Sequence, residues 1–434
     1  HFHNYPRADR QGIAYRHGAA LMSDLVATPL QSDLDIAPLL LPAKVLSNDA
    51  QAIAAAHELA QLARLQAAQR DRQRKLPWAQ IEHFTRSGLG SISIPREYGG
   101  PQVSFVTLAE VFKIISAADP ALGQIPQNQV GILNSLLGSA NETQKKQVFQ
   151  SVLNGWRIGN AGPERGTKNT LDIKARITAK GDGFVLNGQK FYSTGALFAH
   201  WVAVKALNDD GRQVLVFVPR GTPGLRIVDD WSGFGQRTTA SGTVLLNNVP
   251  VEAEHIIENW RLAHTPNIQG AVSQLIQAAI DVGIAREAID DSIRFVRERS
   301  RPWIDANVER ASDDLYVIAD IGKLKLELHA AEALLRKAGQ VLDEVNAAPV
   351  DVASAARASI AVAEAKVLTT EISLLASEKL FELAGSRATL AEFNLDRHWR
   401  NARVHTLHDP VRWKYHAVGA YHLNGTVPAR HSWI

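Results

Sequence analysis

The chain has 434 residues, 45% hydrophobic and 21% charged, with a formal net charge of +3, no cysteine and one methionine. The missing cysteine excludes disulfides, thiolate metal sites and a cysteine nucleophile, and dispersed charges of both signs argue against nucleic acid or an anionic membrane as partner. No apolar run approaches the roughly 20 residues needed to span a bilayer, so the chain reads as soluble and cytoplasmic.

Residues 1–21 do not begin with Met, hold three His and three Arg, and lack the apolar stretch of a secretory signal. They are set aside as a tag or upstream segment, with Met22 as the expected native start and 22–46 as a leader. From Ser47 to about Leu65, and again over Ile81–Leu89 and Val106–Ala118, apolar residues recur at helical spacing, predicting a helical domain over 47–126. Ile94-Pro95-Arg96-Glu97-Tyr98-Gly99-Gly100 interrupts it with a Pro and a Gly pair that mark a turn.

Over 127–252 the period falls to two, with Ile173, Ala175 and Ile177 on one face. Asp182-Gly183, Asn187-Gly188 and Asp210-Gly211 punctuate strand-like runs such as Val214–Val218, predicting antiparallel β structure. Beyond 253, amphipathic helices are expected over Leu275–Arg299, Ile318–Val345 and Val352–Leu383, closed by Arg301-Pro302 and capped by Gly385. The fold class is α+β, in the order helical, β, helical.

Nucleotide motifs are lacking: Gly88-Leu89-Gly90 has no third glycine, and there is no phosphate-loop lysine motif and no Gly-x-Ser-x-Gly elbow. The densest functional cluster is Asp396–Pro410, with three His, three Arg and two Asp in fifteen residues. His405 and His408 are three apart, placing them on one face of a helix, with His408 at its C-terminus, where the dipole favours imidazolium. A polar helix end with surface Arg–Asp pairs is the plain alternative. A metal held by His398, His405, His408 and Asp409 is another, although the spacing matches no zinc motif.

The domain order, Ile94–Gly100, Leu186–Gly195 and Asp396–Ala402 together resemble the acyl-CoA dehydrogenase superfamily over nearly the whole chain from about residue 45. Dehydrogenases of that superfamily commonly carry a Glu base where this chain has Asp409, a shorter carboxylate locked before Pro410. The ending His405-Thr406-Leu407-His408-Asp409-Pro410, with Asp229–Gly242, resembles instead the flavin-dependent monooxygenase branch, typified by dibenzothiophene monooxygenase and the sulfur-acquisition oxidoreductases. That resemblance implies reduced FMN delivered by a separate NAD(P)H:flavin reductase, O2 as co-substrate, a flavin C4a-hydroperoxide, a small organosulfur substrate and a homotetramer with FMN near a subunit interface.

Roles follow from the matching positions. His408 is expected to hold the peroxide by a hydrogen bond, with His405 orienting it. Arg299, Ser386 and Arg387 are placed at the FMN phosphate, where guanidinium pairing suits the dianion. A loop at Gln127–Gly131, through Asn128 and Gln129, and the segment Asn160-Ala161-Gly162-Pro163-Glu164 are expected at the flavin ring. Relatives usually carry Ser or Thr at the Pro163 position; proline offers neither hydroxyl nor N–H, and Ser193 is the candidate replacement donor. Tyr98 and Trp231 are candidate substrate-pocket residues. An FAD-dependent acyl-CoA dehydrogenase using Asp409 as base, and a non-enzymatic adaptor on the same fold, are the rival readings. Depletion of both sulfur amino acids fits a protein made when sulfur is scarce, against thermophilic avoidance, which would also deplete Asn and Gln, and against nucleotide-composition bias.

Overall fold

The computed structural model describes residues 43–434. The proposed tag at 1–21, the start at Met22 and most of the 22–46 leader lie outside that range. The first long helix, Asp49–Arg64, begins where the Asn48 side chain accepts a hydrogen bond from the Gln51 N–H, and it buries an Ala/Leu stripe that includes Ala52, Ala56, Leu59 and Ala63. That stripe packs on the helix Phe105–Ala118. Between them, Gly99 turns the chain at φ +91, and a Cβ on Gly100 would lie 2.1 Å from the Ile94 carbonyl oxygen. The Gly pair is thus required by backbone geometry.

Residues 127–131 are not a loop. They open the helix Gln127–Ser139, preceded by Pro126, where a missing N–H is tolerated. The polar residues disguise a helical stripe of Val130, Leu133 and Leu136, all buried. A second helix, Glu142–Leu153, follows behind an Asn141–Gln144 capping box, so helical structure runs well past residue 127.

Among the described residues eight strands form one sheet: β1 Ile158–Ala161, β2 Arg176–Lys180, β3 Gly183–Lys190, β4 Trp201–Leu207, β5 Gln213–Pro219, β6 Leu225–Ile227, β7 Val244–Val251 and β8 Ile256–Ile257. The order is β6-β7-β3-β2-β4-β5-β8, with β1 alongside β4. Most pairs are antiparallel, but β1 runs parallel to β4. Asp182-Gly183 and Asp210-Gly211 lie at hairpin turns. Asn187-Gly188 does not: it sits inside β3 at a bulge opposite β7, and a Cβ on Gly188 would lie 2.6 Å from the Ala175 Cβ.

Three long helices follow, Gln269–Glu298, Leu315–Asn346 and Val352–Ala384, and two shorter ones, Asp396–His405 and Arg412–Asn424, come after them. Gly385 at φ +84 ends the third long helix, its N–H returning to the Phe381 carbonyl. Gln269–Glu298 is the central helix: it packs against both of the other long helices and against Phe105–Ala118, joining the two helical regions in one core. Among the described residues no helix is long and apolar enough to cross a membrane.

Candidate active site

The central helix carries a buried polar stripe, Gln274, Gln277 and Asp281, each 0–1% exposed. Burying a carboxylate carries a large desolvation cost unless it is paired. Asp281 is paired twice: one oxygen meets the Lys366 Nζ, and the other lies 2.5 Å from His405 Nδ1. Burial works to raise the Asp281 pKa, but the charge of Lys366 and the hydrogen bonds from His405 and Lys366 outweigh it and hold the carboxyl below its ordinary value. Burial lowers the His405 pKa, with Asp281 offsetting only part of the effect. The imidazole is therefore neutral near pH 7. Its Nδ1 donates to a carboxylate that can only accept, which assigns an unprotonated Nε2. That Nε2 is buried without a protein partner among the described residues.

The histidine helix Asp396–His405 ends at His405, and His408 lies beyond it in a turn whose N–H returns to the His405 carbonyl. The two rings consequently do not share a helical face. His405 turns inward to Asp281, whereas His408 Nδ1 lies 2.8 Å from Asp409 Oδ1 and its side chain keeps 33% exposure. The group that orients His408 is thus Asp409, not His405. Asp409 is buried, with Oδ1 also accepting from Gln274 Nε2 at 3.2 Å and Oδ2 paired with Lys414 Nζ at 2.7 Å. Burial pushes its pKa up, yet the His408 hydrogen bond and the nearby cationic groups hold it well below the carboxylate range. Lys414 in turn donates to the Trp433 carbonyl at 2.7 Å.

His398, the third histidine of the cluster, points elsewhere and binds Asp291 at 2.7 Å. Burial and Arg397 lower its pKa, and the same contact holds Asp291 down at about 2 against its own burial. The three histidines therefore diverge to three separate carboxylates instead of converging on one metal position.

The sheet supplies a polar rim. The Asn160 N–H donates to the Thr194 carbonyl, and the Phe191 N–H to the Pro163 carbonyl, which brings the end of β1 against the segment after β3. This gathers Asn160, Gly162, Pro163 and Ser193. Ser193 is 1% exposed and its hydroxyl has no protein partner among the described residues, while Thr194, Ser241 and Thr239 share a hydroxyl chain at 2.7 and 2.8 Å. Pro163 is exposed. Beside this rim Trp231 meets Phe191 and Tyr192, and its indole N–H donates to the Gln236 carbonyl.

Other expected residues are placed elsewhere. Gln129 is a structural tie: its amide donates to the Gly90 carbonyl and accepts from the Ile158 N–H, both at 2.8 Å, joining its helix to β1. Asn128 is on the same helix and partly exposed. Tyr98 is not beside Trp231; its hydroxyl donates to Glu142 at 2.9 Å and its ring packs 4.8 Å from Phe149, in a smaller core on one face of the sheet.

Arg299 and Arg387 do come together. Their guanidinium carbons lie 5.2 and 5.9 Å from the Phe393 ring centroid, and among the described residues neither has a carboxylate partner. Ser386 is exposed beside Arg387. Two cations at one aromatic ring with no anion suit a phosphate. They lie, however, far along the central helix from the His405 pair: at roughly 1.5 Å of rise per residue its backbone separates Asp281 from Arg299 by about 27 Å.

Sequence reasoning missed Asp281, Lys366 and Lys414. For Asp281 and Lys366 the signal was a charge at a buried position of a largely apolar helical pattern; Lys414 is the one buried residue of an exposed helix and gave no such signal.

Comparison with known proteins follows the same order. The acyl-CoA dehydrogenase N-terminal, middle and C-terminal domain families match residues 49–156, 161–249 and 275–413. A dibenzothiophene monooxygenase of Rhodococcus erythropolis is 34% identical over 404 residues, 89% of this chain and 96% of the relative. The probable FMNH2-dependent monooxygenase SfnC of Pseudomonas putida is 29% identical, covering 87% of this chain and 96% of the relative. The crystal structure of FMN-bound TdsC from Paenibacillus sp. A11-2 superposes with a TM-score of 0.84 at 30% identity, covering 88% of this chain and all of that one.

Proposed function

Since the chain belongs to the acyl-CoA dehydrogenase family, in its flavin-dependent monooxygenase branch, we propose that it oxygenates a small organosulfur compound with reduced FMN and O2. Bound FMNH2 would supply the two electrons that reduce one oxygen atom to water while the other goes to substrate. The chain has no nicotinamide motif, so a separate NAD(P)H:flavin reductase delivers the reduced flavin.

The observation that carries this reading is the Lys414–Asp409–His408 array. Asp409 fixes Nδ1–H and leaves Nε2 of a partly exposed ring directed away from its carboxylate, a position suited to holding or passing a proton at the reacting oxygen. The same array disfavours the dehydrogenase rival. A carboxylate held between His408 and Lys414 with a depressed pKa is a poor base for an α-proton.

The orphaned Ser193 hydroxyl fits a hydrogen bond to the flavin ring, in place of the donor that Pro163 lacks. Asn160 and Gly162 would border the ring. Arg299, Ser386 and Arg387 would bind the phosphate of a flavin seated on a neighbouring copy, and Trp231 would line the substrate side. A homotetramer is supported by the apolar side chains that the later helices leave open, among them Leu315, Tyr316, Leu326 and Leu423, each at least 72% exposed. The scarcity of Cys and Met supports synthesis under sulfur limitation.

The test is oxygen bookkeeping with His408→Ala, supplied with FMNH2, O2 and organosulfur substrate. Product per flavin oxidised should fall roughly 10- to 100-fold, a loss in the range typical of a general acid–base group, with hydrogen peroxide making up the difference and FMN affinity unchanged. Unaltered coupling removes His408 from the mechanism.

A further inference from the structure

The groups that set His408 are themselves held by a segment far from the central helix in sequence. Besides His408, Asp409 has two side-chain partners, Gln274 Nε2 at 3.2 Å from Oδ1 and Lys414 Nζ at 2.7 Å from Oδ2. Both partners reach on to the same short stretch. The Gln274 amide also donates to the Ser432 carbonyl at 3.1 Å, and the Lys414 ammonium donates to the Trp433 carbonyl at 2.7 Å. Two successive backbone carbonyls therefore stand behind the two mounts of one carboxylate.

The chemistry of these contacts is directional. A carbonyl and a carboxylate can only accept, so Gln274 is held with its NH2, and not its oxygen, between Asp409 and Ser432. Lys414 is the one buried residue of the helix Arg412–Asn424, so its enclosure comes from elements packed against that helix, Trp433 among them. The segment is also seated closely. A Cβ on Gly270 would lie 2.6 Å from the His431 carbonyl oxygen and 3.4 Å from that of Ile434, which is why glycine occupies the crossing. Ser432 Oγ donates to Gln269 Oε1 at 3.3 Å, the Trp433 N–H donates to His431 Nδ1 at 3.2 Å, and Ile434 is buried. The segment thus crosses the start of the central helix, one turn before Gln274.

We propose that His431–Ile434 is a strap that positions His408: its carbonyls orient Gln274 and Lys414, these fix the Asp409 carboxylate, and Asp409 fixes the imidazole. The strap touches no reacting atom and acts through His408 alone, so the assignment rests on the proton-handling role given to that residue above. Because the contacts are made by carbonyls, side-chain changes within the strap leave them in place. The sensitive position is Gly270, on the other side of the crossing. Helix propensity favours Ala over Gly, so Gly270→Ala lifts the strap without weakening the helix beneath it.

The test compares wild type, Gly270→Ala and a chain stopped after Arg430, each with and without His408→Ala. In flavin-free protein, acetylation of Lys414 by acetic anhydride is followed by mass spectrometry, with the buried Lys190 and Lys366 as internal references. Both variants should label Lys414 roughly tenfold faster or more, through local opening, and leave the references protected. Loaded with FMNH2 and mixed with O2 without substrate, both should release hydrogen peroxide faster than wild type, approaching His408→Ala. In the His408→Ala background they should add nothing further, as expected of residues that act through one group. Unchanged Lys414 labelling in either variant, wild-type peroxide release by the stopped chain, or additive effects with His408→Ala would each overturn the assignment. So would loss of protection at all three lysines, which would make the segment a brace for the whole fold. If His408→Ala itself releases peroxide at the wild-type rate, the role given to His408 fails and the strap's role with it.

Discussion

Removing the amine of Lys366 raises the pH at which one buried histidine takes up a proton, and so changes how that histidine couples folding to pH. In the native protein Asp281, 0% exposed, has two partners, Lys366 and a neutral His405. Lys366→Met leaves an uncompensated carboxylate, and breaking a buried pair in this way costs about 3–5 kcal/mol. Native His405 has a pKa below its ordinary value of 6.5. The unfolded chain therefore binds a proton first on acidification, and native stability falls as the pH drops through 6.5 towards the folded value. Lys366 itself opposes that protonation. Without it Asp281 draws a proton onto His405 at a higher pH than in the native protein, so the variant recovers stability relative to wild type as the pH falls. Urea denaturation of both proteins between pH 5.5 and 8 isolates the effect, since His398 and the other titrating groups are common to them. The destabilisation by Lys366→Met should be largest at pH 8 and shrink on acidification by up to about 1.4 kcal/mol per pH unit per proton. A pH-independent difference would refute the Lys366–Asp281–His405 account.

The remaining outcomes concern the phosphate and the sheet. A variant carrying both Arg299→Ala and Arg387→Ala should bind FMN at least tenfold more weakly, read by flavin fluorescence. Refolded as an equal mixture with His408→Ala, it should regain activity at roughly a quarter of sites if assembly is random and arginines and histidine come from different copies; no recovery would place both in one subunit. Gly188→Ala should cost about 1–3 kcal/mol through the clash with Ala175, seen as a lower urea midpoint. An unchanged midpoint would show that the β3 bulge relaxes freely.

The order of domains was legible because apolar period changes cleanly, and Gly385 because a helix end in a left-handed conformation favours glycine. Composition misled where polarity and local role separate. Gln127–Gly131 reads as loop, but Val130, Leu133 and Leu136 supply the stripe that folds it as helix. Asn187-Gly188 has hairpin chemistry, yet its glycine answers to the close approach of Ala175. At the site, His408 and Asp409 were readable as neighbours. Asp281 and His405 are 124 residues apart and Asp281 and Lys366 are 85 apart, so their pairing is a product of helix packing that spacing in the sequence does not encode.

Geometry also decides how the parts of the site relate. Asp281 anchors His405 partway along the central helix, and Arg299 follows that helix at its far end. Helical rise makes the interval about 27 Å, and because the central helix is packed against three others it does not bend to close it. On the proposed assembly, a phosphate held at Arg299 and Arg387 would belong to a flavin whose ring lies beside another copy's His405 and His408. On that arrangement a dissociated chain keeps the proton-handling residues and loses the phosphate clamp. Flavin affinity should then fall with subunit dissociation even where the fold persists, which couples catalytic competence to protein concentration.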